Sequence, residues 1–181
     1  MGKRFDKITD EHKKFIAGQK IFFTGTAATE GRVNVSPKGL DSLRVVDDHT
    51  VVWLNLTGSG NETAAHLQEH NRMTLMFCAF EGNPYILRLY GQAEILPPDH
   101  PERASLMQLF PKMNGIRQVI LMKVDLVQKS CGYAVPLYDF VESRDVLTKW
   151  TDKKSDTDLE QYWSEKNALS LDGKPIDKPG N

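Results

Sequence analysis

The sequence predicts a mainly β protein, an antiparallel barrel with peripheral helices, and three observations carry that expectation. Six or so apolar segments follow one another closely and are joined by turns. Several alternate apolar and polar residues, the period of a strand with one buried face. The helical segments between them are short and do not repeat with the strand–helix rhythm of a parallel sheet.

Each element follows from its residues. Phe5, Ile8, His12, Phe15, Ile16 and Gln19 recur at helical intervals, so an amphipathic helix opens the chain and stops near Gly18. Ile21 to Thr26 reads as the first strand and Arg32 to Ser36 as the second. Pro37 offers no ladder donor, so the second strand must end there, bulge or lie at an edge. Arg44 to Val46 and Thr50 to Leu56 make a hairpin turned by Asp47, Asp48 and His49. A helix from Glu62 to Glu69 follows. Met73 to Phe80 is a nearly continuous apolar run, the pattern of a strand buried on both faces. Tyr85 to Leu96 alternates more clearly and is a long strand, closed by Pro97 and Pro98. Glu102 to Phe110 supplies a short helix and Gln118 to Val127 the last long strand. Beyond Val141 the composition turns charged, with helices expected over Arg144 to Trp150 and Asp156 to Lys166. The tail, Asp172 to Asn181, contains two Pro and two Gly and reads as loose in solution.

At 181 residues the chain reads as one domain over 1–181, with a helical C-terminal extension over about 143–170 and a flexible tail at 172–181. A net charge of −1 without a basic block argues against nucleic-acid binding. No apolar run approaches the ~20 residues of a membrane span. The first fifteen residues, MGKRFDKITDEHKKF, lack the apolar stretch of a signal peptide. Two cysteines, Cys78 and Cys131, in unrelated contexts fit a reduced, cytoplasmic protein.

Two segments carry polar chemistry at strand ends. Thr57 to Ala64, TGSGNETA, joins an apolar strand to a helix. Gly58 and Gly60 permit unusual backbone angles, and a glycine-rich turn that opens a helix presents N–H groups suited to a phosphate. The stretch is neither GxxxxGK[ST] nor GxGxxG, so a plain turn with Asn61 as N-cap remains the competing reading. In NVSPKGLD, Lys38 and Gly39 set a cation beside permissive backbone after the strand, with a solvated strand-end lysine as the alternative.

NVSPKGLD, TGSGNETAAHL, RMTLMFCAF, LRLYGQAEIL and SCGYAVP, in this order, resemble the pyridoxamine 5′-phosphate oxidase-like flavoproteins, and within them the related proteins of unassigned substrate. The resemblance runs from about Phe5 to about Pro175. It implies a split β-barrel with FMN held at a homodimer interface. By the family's pattern, Ser59, Gly60, Asn61, Glu62 and Thr63 fall on the phosphate side with Lys38. Ser36, Pro37 and Gly39 fall along the ring, with Leu54 and Asn55 below. Glu62 departs from the pattern, standing where many relatives carry Arg or Lys, so it is expected to point away as a cap partner. The compensating charge must then come from Lys38, Arg32, Arg44, Arg88 or Arg117. Analogy favours Arg117 and sets Arg88 on the barrel surface or dimer interface. For Cys131 to Pro136, a flavin contact and a tight turn both stay open.

Other chemistries find no support. His66 and His70 share a helix at ligand spacing, but without HExxH a solvated or capping role is expected. No GxSxG occurs, and Cys131 has no basic cluster to make a thiolate. The resemblance implies an FMN-dependent oxidoreductase acting on an unidentified small molecule. A non-catalytic flavin-binding store or sensor is the alternative, and a haem or deazaflavin binder a weaker one.

Overall fold

A computed structural model describes residues 2–177. In chain order its elements are β1 (Lys3–Phe5), α1 (Asp10–Gly18), β2 (Phe22–Thr26), β3 (Asn34–Lys38), β4 (Leu43–Val45) and β5 (Thr50–Leu56). Then come α2 (Glu62–Glu69), β6 (Arg72–Cys78), β7 (Ile86–Leu96), α3 (Arg103–Met107), β8 (Ile116–Ser130), α4 (Val146–Thr151) and α5 (Asp156–Lys166). The strands form one sheet in the order β3-β2-β6-β7-β8-β5-β4, with β1 added alongside β8. Every neighbouring pair is antiparallel, and the sheet curls into a split barrel, as the sequence predicts.

The longest pair, β7 with β8, runs from Ile86 opposite Ser130 to Leu96 opposite Val119. Alternation sends Leu87, Leu89 and Ala93 of β7, with Ile120, Met122 and Val127 of β8, into the main core beside Phe22, Trp53 and Phe77. The register shifts between Tyr90 and Gly91, where a Cβ on residue 91 would lie 1.9 Å from the Lys123 carbonyl oxygen. Glycine there lets the two backbones close together at the bulge, which sharpens the bend a barrel needs.

The strand buried on both faces is β5, not β6. Val51 and Trp53 enter the main core, while Val52 and Leu54 enter a second cluster with Leu106 and Phe110, under α3. In β6 burial alternates, because Thr74 and Met76 lie on the less covered face. The N-terminus also differs from expectation. Residues 3–5 pair with β8, Phe5 opposite Val127, and the helix begins only at Asp10. Thr9 sets that start: its hydroxyl accepts from the His12 backbone N–H, and the His12 ring accepts from the Thr9 N–H. Pro37 sits within β3, opposite Phe23, which is tolerated because β3 is a terminal strand of the sheet.

The C-terminal segment is packed as far as it is described. Ile176 is buried against Ala64 and Ala65 of α2. Lys174 pairs with Glu69, and Asp172 accepts from the backbone and side chain of Arg32. Residues 172–177 are therefore not loose, because an apolar anchor and two ion pairs hold them; residues 178–181 of the expected tail lie outside the described residues. No helix among the described residues is long and apolar enough to cross a membrane.

Substituting Gly91 with Ala forces β7 and β8 apart where backbone alone meets backbone. The expected cost is about 1–3 kcal/mol, toward the upper end because no flexible side chain can yield. Chemical denaturation of the G91A protein measures it, and unchanged stability would contradict the close approach.

Candidate functional site

The β3 end and the turn after β5 meet across a cleft of about 1350 Å³. Ser36, Pro37, Lys38 and Gly39 come to it from β3 and its corner, Leu54 and Asn55 from β5, and Arg117 from β8. Ser59, Gly60, Asn61, Glu62 and Thr63 come from the turn and the first turn of α2. The two segments singled out in the sequence thus share one cavity.

Arg117 is 3% exposed and sits behind the turn. Its Nη1 donates to the Gly60 carbonyl at 2.9 Å and to Asn167 Oδ1 at 2.7 Å; Nη2 donates to Asn55 Oδ1 at 3.4 Å. Asn167 Nδ2 donates to the carbonyls of Gly58 and Ser59, at 3.1 and 3.4 Å. The carbonyls of residues 58–60 therefore point at this buried pair. In a trans peptide the N–H is antiparallel to the C=O, so the N–H groups of Ser59, Gly60 and Asn61 face the other way. That orientation leaves a run of donors ahead of the free N–H groups of α2.

Two of the cleft's cations stand without a local counter-charge. Among the described residues no carboxylate lies within ion-pair distance of Arg117 or Lys38. Burial, with no counter-charge, pushes the Arg117 guanidinium down to about 10, so it stays protonated at neutral pH. Lys38 has its ammonium 5.2 Å from the centre of the buried Trp53 ring. Burial first, and the Arg117 charge second, push the Lys38 ammonium down to about 8. Of the other candidate cations, Arg32 is paired with Asp172 and Arg44 with Asp41, while Arg88 donates to Ser130.

Several local expectations are corrected. Asn61 occupies the N-cap position of α2 but makes no side-chain cap bond; its Oδ1 accepts from Asn55 Nδ2 at 2.9 Å, and its own Nδ2 is buried without a partner. Glu62 accepts from the Leu171 backbone N–H rather than serving as a cap partner, and its Oε1 stays beside the turn, 3.6 Å from where a Gly60 Cβ would be. Neither Gly58 nor Gly60 has a positive φ. The left-handed residues near the site are Leu40, at φ 54°, rather than Gly39, and Gly115, at φ 75°. A Cβ at Gly115 would lie 2.5 Å from Thr151 Cγ2, and the Gly115 carbonyl accepts from the Thr57 hydroxyl at 2.8 Å. His66 is buried rather than solvated, sharing a hydrogen bond with Thr26 Oγ1 at 3.1 Å. Among the described residues no His, Cys, Asp and Glu cluster could hold a metal.

Sequence reasoning missed Asn34, Trp163 and Asn167. Asn34 Nδ2 donates to Thr63 Oγ1 and Thr26 Oγ1, both at 3.2 Å, and its Oδ1 accepts from Ser36, tying β3 to α2. Trp163 Nε1 donates to Thr57 Oγ1 at 2.9 Å. Only Asn34, polar within an alternating strand, left a local signal. The far wall of the cleft comes from Phe80, Tyr138, Phe140 and Trp150, not from Cys131 to Pro136. In that segment Gly132 is tight against the Tyr85 backbone N, 2.9 Å from where a Cβ would be, as a packed turn requires.

A family model described as pyridoxamine 5′-phosphate oxidase matches residues 8–131. A pyridoxamine 5′-phosphate oxidase family protein, ustO, of Aspergillus flavus is 33% identical over 189 aligned residues, covering 94% of this chain and 76% of that protein. Among solved structures, HupZ of Group A Streptococcus is 24% identical, with a TM-score of 0.55 over 66% of this chain and 91% of its own. A Clostridium acetobutylicum protein related to general stress protein 26 is 17% identical, with a TM-score of 0.51 over 76% of this chain and 94% of its own. At those identities the two structures speak to the fold alone.

Lys38 should cost the ligand-free protein stability. The folded state releases its proton near pH 8 and the unfolded chain near the ordinary 10.5, so stability rises across that window. Lys38→Met should stabilise the ligand-free protein at pH 7 by about 1–2 kcal/mol and flatten that rise. Denaturation midpoints between pH 7 and 10.5 test both; a parallel rise in the variant would reject the assignment to Lys38.

Proposed function

The chain belongs to the pyridoxamine 5′-phosphate oxidase family, and from that premise we propose that it binds FMN in the cleft and works as a flavin-dependent oxidoreductase on a small molecule. The single observation that carries this reading is the pair of cations, Lys38 and Arg117, that line the cleft with no carboxylate within ion-pair distance of either among the described residues. A phosphate monoester brings roughly −1.5 to −2 charge at pH 7, with three acceptor oxygens. The N–H groups of residues 59–61, the unpartnered Asn61 Nδ2 and the Thr63 hydroxyl, itself accepting from Asn34, complete a donor set of the right chemistry.

In this reading Ser59, Gly60, Asn61, Glu62 and Thr63 hold the phosphate through their backbone and short side chains, and Lys38 adds a charged contact. Ser36, Pro37 and Gly39 border the ring, with Leu54 and Asn55 beneath it. FMN, when bound, supplies the two-electron redox chemistry; the protein orients it and excludes water. Among the described residues the cleft wall contains no His, Cys or Met side chain, which leaves a haem reading with Tyr138 alone as an axial ligand of the ordinary kinds. Pairing into a homodimer with the flavin at the interface is supported by Leu137, Val141 and Val146, exposed at 73%, 88% and 70%. We place the protein in the cytoplasm.

A visible spectrum of the purified protein, with mass spectrometry of the molecule released by heat, tests the cofactor. FMN is the expected product, and a colourless protein that also refuses added FMN would reject the reading. Reduction by NADPH or NADH and reoxidation by an acceptor would separate an oxidoreductase from a flavin store. Lys38→Ala and Asn61→Ala should each lower FMN affinity by roughly 10–100-fold, the loss of one charge-assisted hydrogen bond. FMN affinity should also fall as pH rises past about 8, where the free Lys38 loses its charge, and this dependence should vanish in the Lys38 variant.

A further inference from the structure

The residues that finish the phosphate turn lie beyond the matched stretch, 8–131. Asn167 ends α5, its backbone N–H bonded to the Trp163 carbonyl at 2.8 Å, and it is 1% exposed. Its amide stands between partners with opposite needs. The Arg117 guanidinium can only donate, and the Gly58 and Ser59 carbonyls can only accept. One orientation satisfies both, with Oδ1 toward Arg117 and Nδ2 toward the turn, and those are the bonds observed.

The ordinary partner for a buried arginine is a carboxylate. Aspartate has nearly the same shape as asparagine and would accept from Arg117 equally well. It would also cancel the guanidinium charge and set an anionic oxygen against two carbonyl oxygens. The neutral amide does neither. Asn55, the other side-chain acceptor on Arg117, is an amide too.

We propose that Asn167 is a positioning residue that makes the site select a phosphorylated ligand over its unphosphorylated counterpart. It does so in two ways. It holds Arg117 against the turn without neutralising it, so the positive potential reaches the cleft. It also fixes the Gly58 and Ser59 carbonyls to the rear, which keeps the N–H groups of Ser59 and Gly60 turned forward. This role rests on the FMN reading, and it concerns the phosphate end alone; the side-chain hydrogen bonds of Asn167 go to Arg117, Gly58 and Ser59 and to none of the ring-side residues Ser36, Pro37 and Leu54.

The test compares FMN with riboflavin, which differ by the phosphate. Both are titrated by flavin fluorescence into the wild-type protein and into N167D and N167S. FMN affinity should drop roughly 10–100-fold in N167D, the effect expected when a buried charge interaction is offset, while riboflavin affinity stays within about twofold. N167S keeps one hydroxyl and no charge, so it should lose less FMN affinity, with riboflavin again unmoved; it also carries the test should N167D fail to fold. Equal losses for both flavins in the soluble variants would show that Asn167 supports the fold only, and would overturn the proposal. A wild-type preference for FMN retained by both variants would overturn the role of Asn167 and leave the site standing. A wild-type protein that binds FMN no better than riboflavin would overturn the phosphate site and this role together.

Discussion

A buried guanidinium with no counter-ion is the constraint around which this molecule is arranged. Placing a charge out of water is costly, and the usual remedy is a carboxylate. Here the remedy is dipoles alone: carbonyls of the turn after β5 and the amides of Asn55 and Asn167. Dipoles stabilise the charge without removing it. They must also be placed accurately, and this ties β5, β8, the turn and the end of α5 into one unit. Asn55 makes the same network continuous, since its Nδ2 donates to Asn61 and to Gln118 of β8.

The barrel makes that placement rigid. Because β5 is covered on both faces, by Trp53 in one core and Leu54 in the other, the turn that follows it starts from a fixed point. The β3 edge brings Lys38 across Trp53, so an ammonium rests on an aromatic face instead of a carboxylate. The outcome is a cleft whose fixed partial and full charges are positive at one end. Its far wall is built of rings: Phe80 stacks on Tyr138 at 5.5 Å, and Lys20 lies over Phe140.

The strands and both polar segments were readable from the sequence because their signals are local: alternation, proline, glycine beside hydroxyl and amide residues. Where the reading failed, the deciding contact was distant or the local signal ambiguous. The apolar run of β6 reads as fully buried, yet which strand gains two covered faces depends on where α3 docks, and that is β5. β5 itself includes two polar residues, Thr50 and Asn55, and both are buried. Three residues at the N-terminus are too few to show a strand period, and β1 exists only because the long β8 offers an edge. The tail carries the Pro and Gly of a loose segment, but Ile176 anchors it on α2. Trp163 and Asn167 escaped notice for the plainest reason: they bond to residues 106 and 109 positions earlier, and no window along the chain contains both ends.

That long span has a consequence for how the protein comes into being. A ribosome delivers the glycine-rich turn more than a hundred residues before Trp163 and Asn167, which help to hold it, and Arg32 must wait 140 residues for Asp172. Loop closure over such distances is slow compared with local structure, so the barrel strands can pair while the turn is still unconstrained. The turn is thus clasped only after all the barrel strands have been synthesised. A chain cut short before α5 would retain the sequence of the turn, yet lack the clasp that gives it its shape.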